Sequence, residues 1–354
     1  MIEEDLFQRN QEILDTLIRR IQRDCPNAVD IIALGGSFLD GDFYEKSDLD
    51  LKIIVNDSKE CSFSSCFLLG EVGFDLYAQT WDVWEEMAQF GTPYANSLAA
   101  CRILYSRTLQ CRERFEKLSR RFQEQLKMGF SIELGKKAKQ EMEQAFAAFG
   151  KLCCEQELGK GRVLAAQVFS HCANALCYLN ATFWKRGTKR RREELSQMEQ
   201  LPQDFLFWVD EMPQSKDILL LRQSAEQMIQ GVNRLLQKRM EEVSPHIVSP
   251  QRLKGTYEEC WSNYVNKIRT AVSQKDAFFA YLAGCDCQMY LDEMKEWAGI
   301  PPMDLMKDFC PDHLEWLEQS LEQVLNIYEE QYRQNGLAPE QYDTVEAWKR
   351  AYLA

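Results

Sequence analysis

Along the first quarter of the chain the spacing of apolar positions changes period. Between residues 3 and 23, Leu6, Phe7, Ile13, Leu14, Leu17, Ile18 and Ile21 fall at the three-and-four spacing of one helix face, and Pro26 closes that helix. Val29–Leu34 is then a short β-branched and apolar run, interrupted by Gly35-Gly36 where a strand has to turn. In Ser47–Val55 the apolar Leu49, Leu51 and Ile53 alternate with Asp48, Asp50 and Lys52, the period of a strand with one buried face. Phe67–Ala78 reads as a further strand of the same small sheet, with Phe74, Leu76 and Ala78 on one side and Asp75 on the other.

From about residue 113 onward strand signals stop. Segments 113–158, 161–186, 189–200, 215–243, 257–273, 275–298 and 312–334 carry helical spacing, broken by Gly159, Gly187, Pro202, Pro213, Pro245, Pro250, Gly299 and Pro301-Pro302. Leu314, Leu317, Leu321, Val324, Leu325 and Tyr328 form an apolar stripe that reads as bundle core. The expected class is α+β, a small mixed sheet followed by a helical bundle. The expected division is residues 1–110, 111–245 and 250–354, with the seam between the helical parts at Pro245–Pro250.

Composition narrows the class. At 354 residues and 45% hydrophobic content the chain can bury a sizeable core. No apolar run approaches the roughly 20 residues that span a bilayer, and the acidic start MIEEDLFQRN lacks the basic-then-apolar form of a secretory signal, so a cytoplasmic protein is expected. Thirteen cysteines, among them Cys153-Cys154 and Cys285-Asp286-Cys287, follow neither a disulfide framework nor paired zinc spacing, and most read as buried thiols. The net charge of −13 is concentrated in the first third, which disfavours a nucleic-acid track and favours a small, cationic acceptor. His171, His246 and His313 are scattered, so carboxylates and metal are expected to carry the chemistry.

The candidate chemistry lies in the turn and the alternating acids. Glycine lets the backbone approach an anion, with its N–H groups aimed at a phosphate, and the Ser37 hydroxyl adds a donor. Asp48 and Asp50 on one strand face repel each other unless a divalent cation sits between them. Asp75 is the third acid, with Glu71 as its rival. The plain alternatives are a solvated strand face for the pair and a surface hairpin residue for Asp75.

Gly36-Ser37, Gly41 and Ser47-Asp48-Leu49-Asp50 together resemble the signature of the DNA polymerase β-type nucleotidyltransferase superfamily. The internal glycine and the Ser before the first Asp are most similar to bacterial aminoglycoside nucleotidyltransferases. Gly91–Ser97 leading to Ile103-Leu104-Tyr105 is similar to the segment that closes their catalytic domain, so the resemblance covers roughly residues 26–110. It implies a catalytic domain with a helical domain behind it, two Mg²⁺ ions held by Asp48 and Asp50, with Asp75 either a ligand of the second metal or the base that takes the acceptor's proton, and a nucleoside triphosphate such as ATP gripped by Gly36 and Ser37. The basic run Lys185-Arg186 and Lys189–Arg192 reads either as an exposed turn or, by the same resemblance, as the place from which Lys185 and Lys189 reach the triphosphate. The acceptor is expected to be a small molecule held by Glu141, Glu143, Glu155 or Glu157, with nucleic acid and membrane disfavoured. Rival expectations are a protein or RNA acceptor, a toxin–antitoxin role, and a nucleotide-binding module without turnover.

Overall fold

The computed structural model describes residues 2–36, 39, 47–56, 64–243 and 248–354, without the side chains of 2–5. Ser37, Gly41, Pro245 and His246 lie outside the described residues. The chain forms two compact units, Met1–Val243 and Ser244–Ala354. Each carries its own apolar core, and the class is α+β, with all described strands in the first unit.

The first unit opens with α1 (Ile2–Asp24), followed by β1 (Val29–Leu34) and β2 (Leu51–Val55). A ribbon of β3 (Ser65–Leu69) and β4 (Val72–Leu76) leads to β5 (Ala78–Thr80), α2 (Trp81–Ala88) and β6 (Arg102–Ser106). The main sheet has the order β5-β2-β1-β6, mixed because β2 and β5 run parallel while the other pairs are antiparallel. One face packs on Leu14, Leu17 and Ile21 of α1 through Ile32, Leu34, Leu51 and Ile53. The other presents Ile31, Ala33 and Ile54 to Trp81 and Trp84 of α2 and to the helices that follow.

Those helices are α3 (Leu109–Met128), α4 (Ile132–Cys154), α5 (Leu158–Leu179), α6 (Phe205–Gln214) and α7 (Ile218–Val243), and they share one continuous core with the sheet. The single helix expected over 113–158 is two. Gly129, at φ 73°, ends α3, and the Ser131 hydroxyl accepts from the N–H of Leu134 to start α4.

In the second unit, helical stretches over 256–273, Ala277–Ala298 and Glu315–Gln334 bury Ile268, Cys287, Leu317, Leu321 and Tyr328 around one core, as the stripe at Leu314–Tyr328 predicted. Thr256 ties it together: its hydroxyl donates to the carbonyl of Leu253 and accepts from the Tyr328 hydroxyl, while the Tyr290 hydroxyl donates to its carbonyl, all within 2.6–2.7 Å. Among the described residues no helix is long and apolar enough to cross a membrane.

Candidate functional site

The antiparallel pairing of β1 and β2 sets Leu34 opposite Leu51, so the glycine turn leaving β1 meets the acid segment entering β2 at one edge of the sheet. Asp48-Leu49-Asp50 precedes the strand and does not belong to it. The N–H of Leu51 bonds the carbonyl of Leu49 at 2.9 Å, a γ-turn that bends the chain at Asp50, and the N–H of Gly35 fixes the bend by bonding the Asp50 carbonyl at 3.0 Å. Leu49 is buried in the α1 core, whereas Asp48 and Asp50 are half-buried.

Gly36 is where this edge demands glycine. Its φ is 71°, and a Cβ built on it would fall 1.8 Å from Oδ2 of Asp50. The Asp50 carboxylate therefore fills the space a side chain would take, and turn and acid are packed as one unit. Beside them stands Lys52, whose Cε lies 3.8 Å from where a Cβ of Gly35 would sit. Burial lifts the neighbouring Cys101 thiol to about 11, with Lys52 pulling it down. Lys52 is a cation beside the glycine turn that alternation alone assigned only to a strand face.

The segment that carries the third acid folds differently from the expectation. Phe67–Ala78 is not one strand of the main sheet. It turns at Gly70, φ 61°, so that Glu71 sits in the hairpin, and β4 pairs with β3 alone. Val72, Phe74 and Leu76 nonetheless share the core of Leu49 and Leu51, and alternation turns Asp75 away from that core. β5, which follows the ribbon, pairs in parallel with β2 from Ile53 and Ala78 onward. Its exposed carboxylate accepts from Sγ of Cys66 at 3.3 Å, a bond that holds the thiol above its ordinary pKa. Among the described residues no three His, Cys, Asp or Glu side chains gather closely enough to hold a metal ion.

The basic run is not a helix end at Gly187. α5 stops at Leu179, and Ala181 takes a left-handed φ of 46°. A 3₁₀ turn Thr188–Arg190 then leads into the short helix Arg191–Ser196. Glu194 on that helix accepts from the N–H groups of Lys185 and Arg186 at 2.8 Å each, and Arg192 pairs with Asp210 at 2.6 Å. The anions that offset this cluster thus include the chain's own carboxylates. Arg191 is stacked between Trp184 and Tyr94, its Cζ 4.9 and 5.5 Å from their ring centroids, while the side chains of Lys185 and Lys189 are exposed.

The helical glutamates divide. Glu141 and Glu143 line a cavity of about 730 Å³ with Asp82, Glu85, Glu86 and Lys137. Glu155 and Glu157 do not: Glu155 accepts from the N–H groups of Gln156 and Glu157, and Glu157 pairs with Lys160 at 2.7 Å. His171, also in the cavity wall, has a companion thirty residues away in sequence, because its Nδ1 lies 2.7 Å from Oε2 of Glu141. Asn174 links this pair to the buried Trp184, donating to Glu141 at 3.4 Å and accepting from Nε1 of Trp184 at 2.9 Å. The cavity lining is acidic and rich in amides.

No protein-family model matches the chain, and no curated protein matches it. Among solved structures, a nucleotidyltransferase-like protein from Exiguobacterium sibiricum 255-15 is similar over 69% of this chain and 85% of that one, with 12% identity and a TM-score of 0.33. A likeness that distant identifies no activity.

Proposed function

We propose that the chain is a metal-dependent nucleotidyltransferase that moves a nucleoside monophosphate from a triphosphate, ATP by preference, to a hydroxyl of a small amine-bearing molecule of the aminoglycoside kind. The observation that carries the reading is the packing of Asp50 into the space above Gly36, which joins an anion-accepting turn and a pair of carboxylates at one sheet edge. The donor set fits Mg²⁺: it is all oxygen, and such ions are commonly held by one or two carboxylates plus phosphate oxygens. When bound, Mg²⁺ neutralises the charge of the triphosphate and of the leaving pyrophosphate. Asp48 and Asp50 would hold it. The Gly35-Gly36 turn and Lys52 receive the terminal phosphates, with Ser37 adding a hydroxyl donor. The acceptor oxygen forms a bond to the α-phosphorus as the bond to pyrophosphate breaks, and Asp75 takes the hydroxyl proton. Lys185 and Lys189 are assigned to the triphosphate from the helical side.

Charge supports an amine-bearing acceptor. Among the described residues the cavity lined by Asp82, Glu85, Glu86, Glu141 and Glu143 has Lys137 as its one lining lysine or arginine, and Lys137 bonds the carbonyls of Gln89 and Phe90, while Arg114 from outside the lining pairs with Glu85. The test is mass spectrometry of an aminoglycoside panel and of an RNA pool, each incubated with the protein, ATP and Mg²⁺. A nucleotide adduct on an aminoglycoside, absent with Asp48→Asn, is the expected result. Adduct on RNA alone overturns the acceptor class, and no adduct or pyrophosphate with any acceptor overturns the transferase reading.

A further inference from the structure

Thirty-eight residues before Ser47, α1 places a side chain that reaches both acid-bearing segments. Nη2 of Arg9 donates to the carbonyl of Ser47 at 2.8 Å, and Nη2 and Nε donate to Oδ1 of Asn10 at 3.0 and 3.2 Å. Asn10 is buried and gives the guanidinium a fixed backing. The Arg9 Cζ lies 5.1 Å from the ring centroid of Phe74, the residue next to Asp75. Burial lowers the pKa of Arg9 and the charge of nearby Asp48 opposes that shift. The acid segment is thus pinned at its far end by Gly35 and at its near end by Arg9, while the face of the same guanidinium rests on the ribbon.

We propose that Arg9 is the positioning residue of the metal site, a clamp that sets Asp48 through the Ser47 carbonyl and the strand of Asp75 through the Phe74 ring. The inference rests on the metal reading given above. A planar guanidinium can bond in its plane and stack on its face at once, which an ammonium cannot do with the same geometry. The two ways Arg9 could act predict opposite signs. As a mere neighbouring charge it competes with a cation for Asp48, so its removal tightens metal binding; as a clamp its removal loosens the ligands and weakens binding.

Titration of the full chain with Mn²⁺ alone, read by electron paramagnetic resonance, separates them. The expected result is that Arg9→Met weakens Mn²⁺ binding about tenfold, that Arg9→Lys falls between it and the wild type, and that Phe74→Leu weakens it less. The double variant Arg9→Met with Phe74→Leu should lose less than the two single effects combined, because both act through one contact. Melting temperatures identify the folded variants. Unchanged or tighter Mn²⁺ binding in folded Arg9→Met overturns the clamp; should that variant not fold, unchanged binding in both Arg9→Lys and Phe74→Leu overturns it. A wild type that binds no Mn²⁺ overturns the metal reading and the clamp together, whereas a wild type that binds with no effect of the variants overturns the clamp alone.

Discussion

At one end of the four-stranded sheet, Asp30 is 4% exposed and fully engaged: Arg107 donates to Oδ1 at 2.7 Å and Trp81 to Oδ2 at 2.7 Å. At the other end, Asp48 and Asp50 stand half-buried at a bend beside a left-handed glycine. The two ends share strands and residue type, and differ in what the backbone does around them. Asp30 sits within β1, and its carbonyl also receives the N–H of Arg107 at 2.9 Å, so side chain and backbone are locked to the start of α3. The acid pair lies where the ladder stops. An aspartate bonded by its own fold contributes to stability, whereas the proposed reading assigns the acids ahead of the strand to a cation.

The strongest way to break this comparison is to neutralise one acid at each end. Asp48→Asn or Asp50→Asn is expected to abolish nucleotide transfer with the melting temperature unchanged. Asp30→Asn is expected to cost about 2–3 kcal/mol of stability, by weakening a buried charged hydrogen bond, and to leave turnover of the folded protein intact. Chemical denaturation alongside pyrophosphate release checks both; near-normal turnover in either acid-pair variant contradicts the assignment.

A second effect sharpens the acid edge. Gly36→Ala places a Cβ where the Asp50 carboxylate sits and holds alanine at a left-handed φ, so the acid has to move. Turnover is expected to fall about a hundredfold, the scale of a 1 Å misplacement at a reacting centre. The corresponding change at Gly159, which meets nothing within 4 Å, should leave turnover alone. Smaller still, Lys52→Met removes the cation beside the turn, and triphosphate affinity measured by calorimetry should fall on the order of tenfold, as one charged hydrogen bond is lost. The least effect belongs to the cavity: Glu141→Gln should raise the KM of a cationic acceptor roughly two- to fivefold, the range of a solvent-screened ion pair, with nucleotide binding unchanged.

Much of this was legible in the chain because it is local. The apolar period and Pro26 bounded α1, the run Val29–Leu34 matches β1 residue for residue, and the glycine turn with two acids is a short-range pattern. The Phe67–Ala78 segment misled because its outer strand is exposed on nearly every residue, leaving no alternation to separate ribbon from sheet, and a single glycine makes the turn. The basic run misled at Gly187 because what caps it is Glu194, a side chain that composition does not tie to those amides. Arg9 was invisible, and so was the pairing of His171 with Glu141. Their partners lie thirty or more residues away and meet them only through packing of α1 on the sheet and of α4 on α5.

The central claim is that the glycine turn and the acid pair act as one site for a metal-bound triphosphate. Calorimetric titration of a non-hydrolysable ATP analogue into the wild type and into Asp50→Asn, each with Mg²⁺ and with EDTA, tests it most directly. The account predicts binding by the wild type that weakens sharply in EDTA and is lost in Asp50→Asn. Equal affinity with and without Mg²⁺, or undiminished binding by Asp50→Asn, would contradict it.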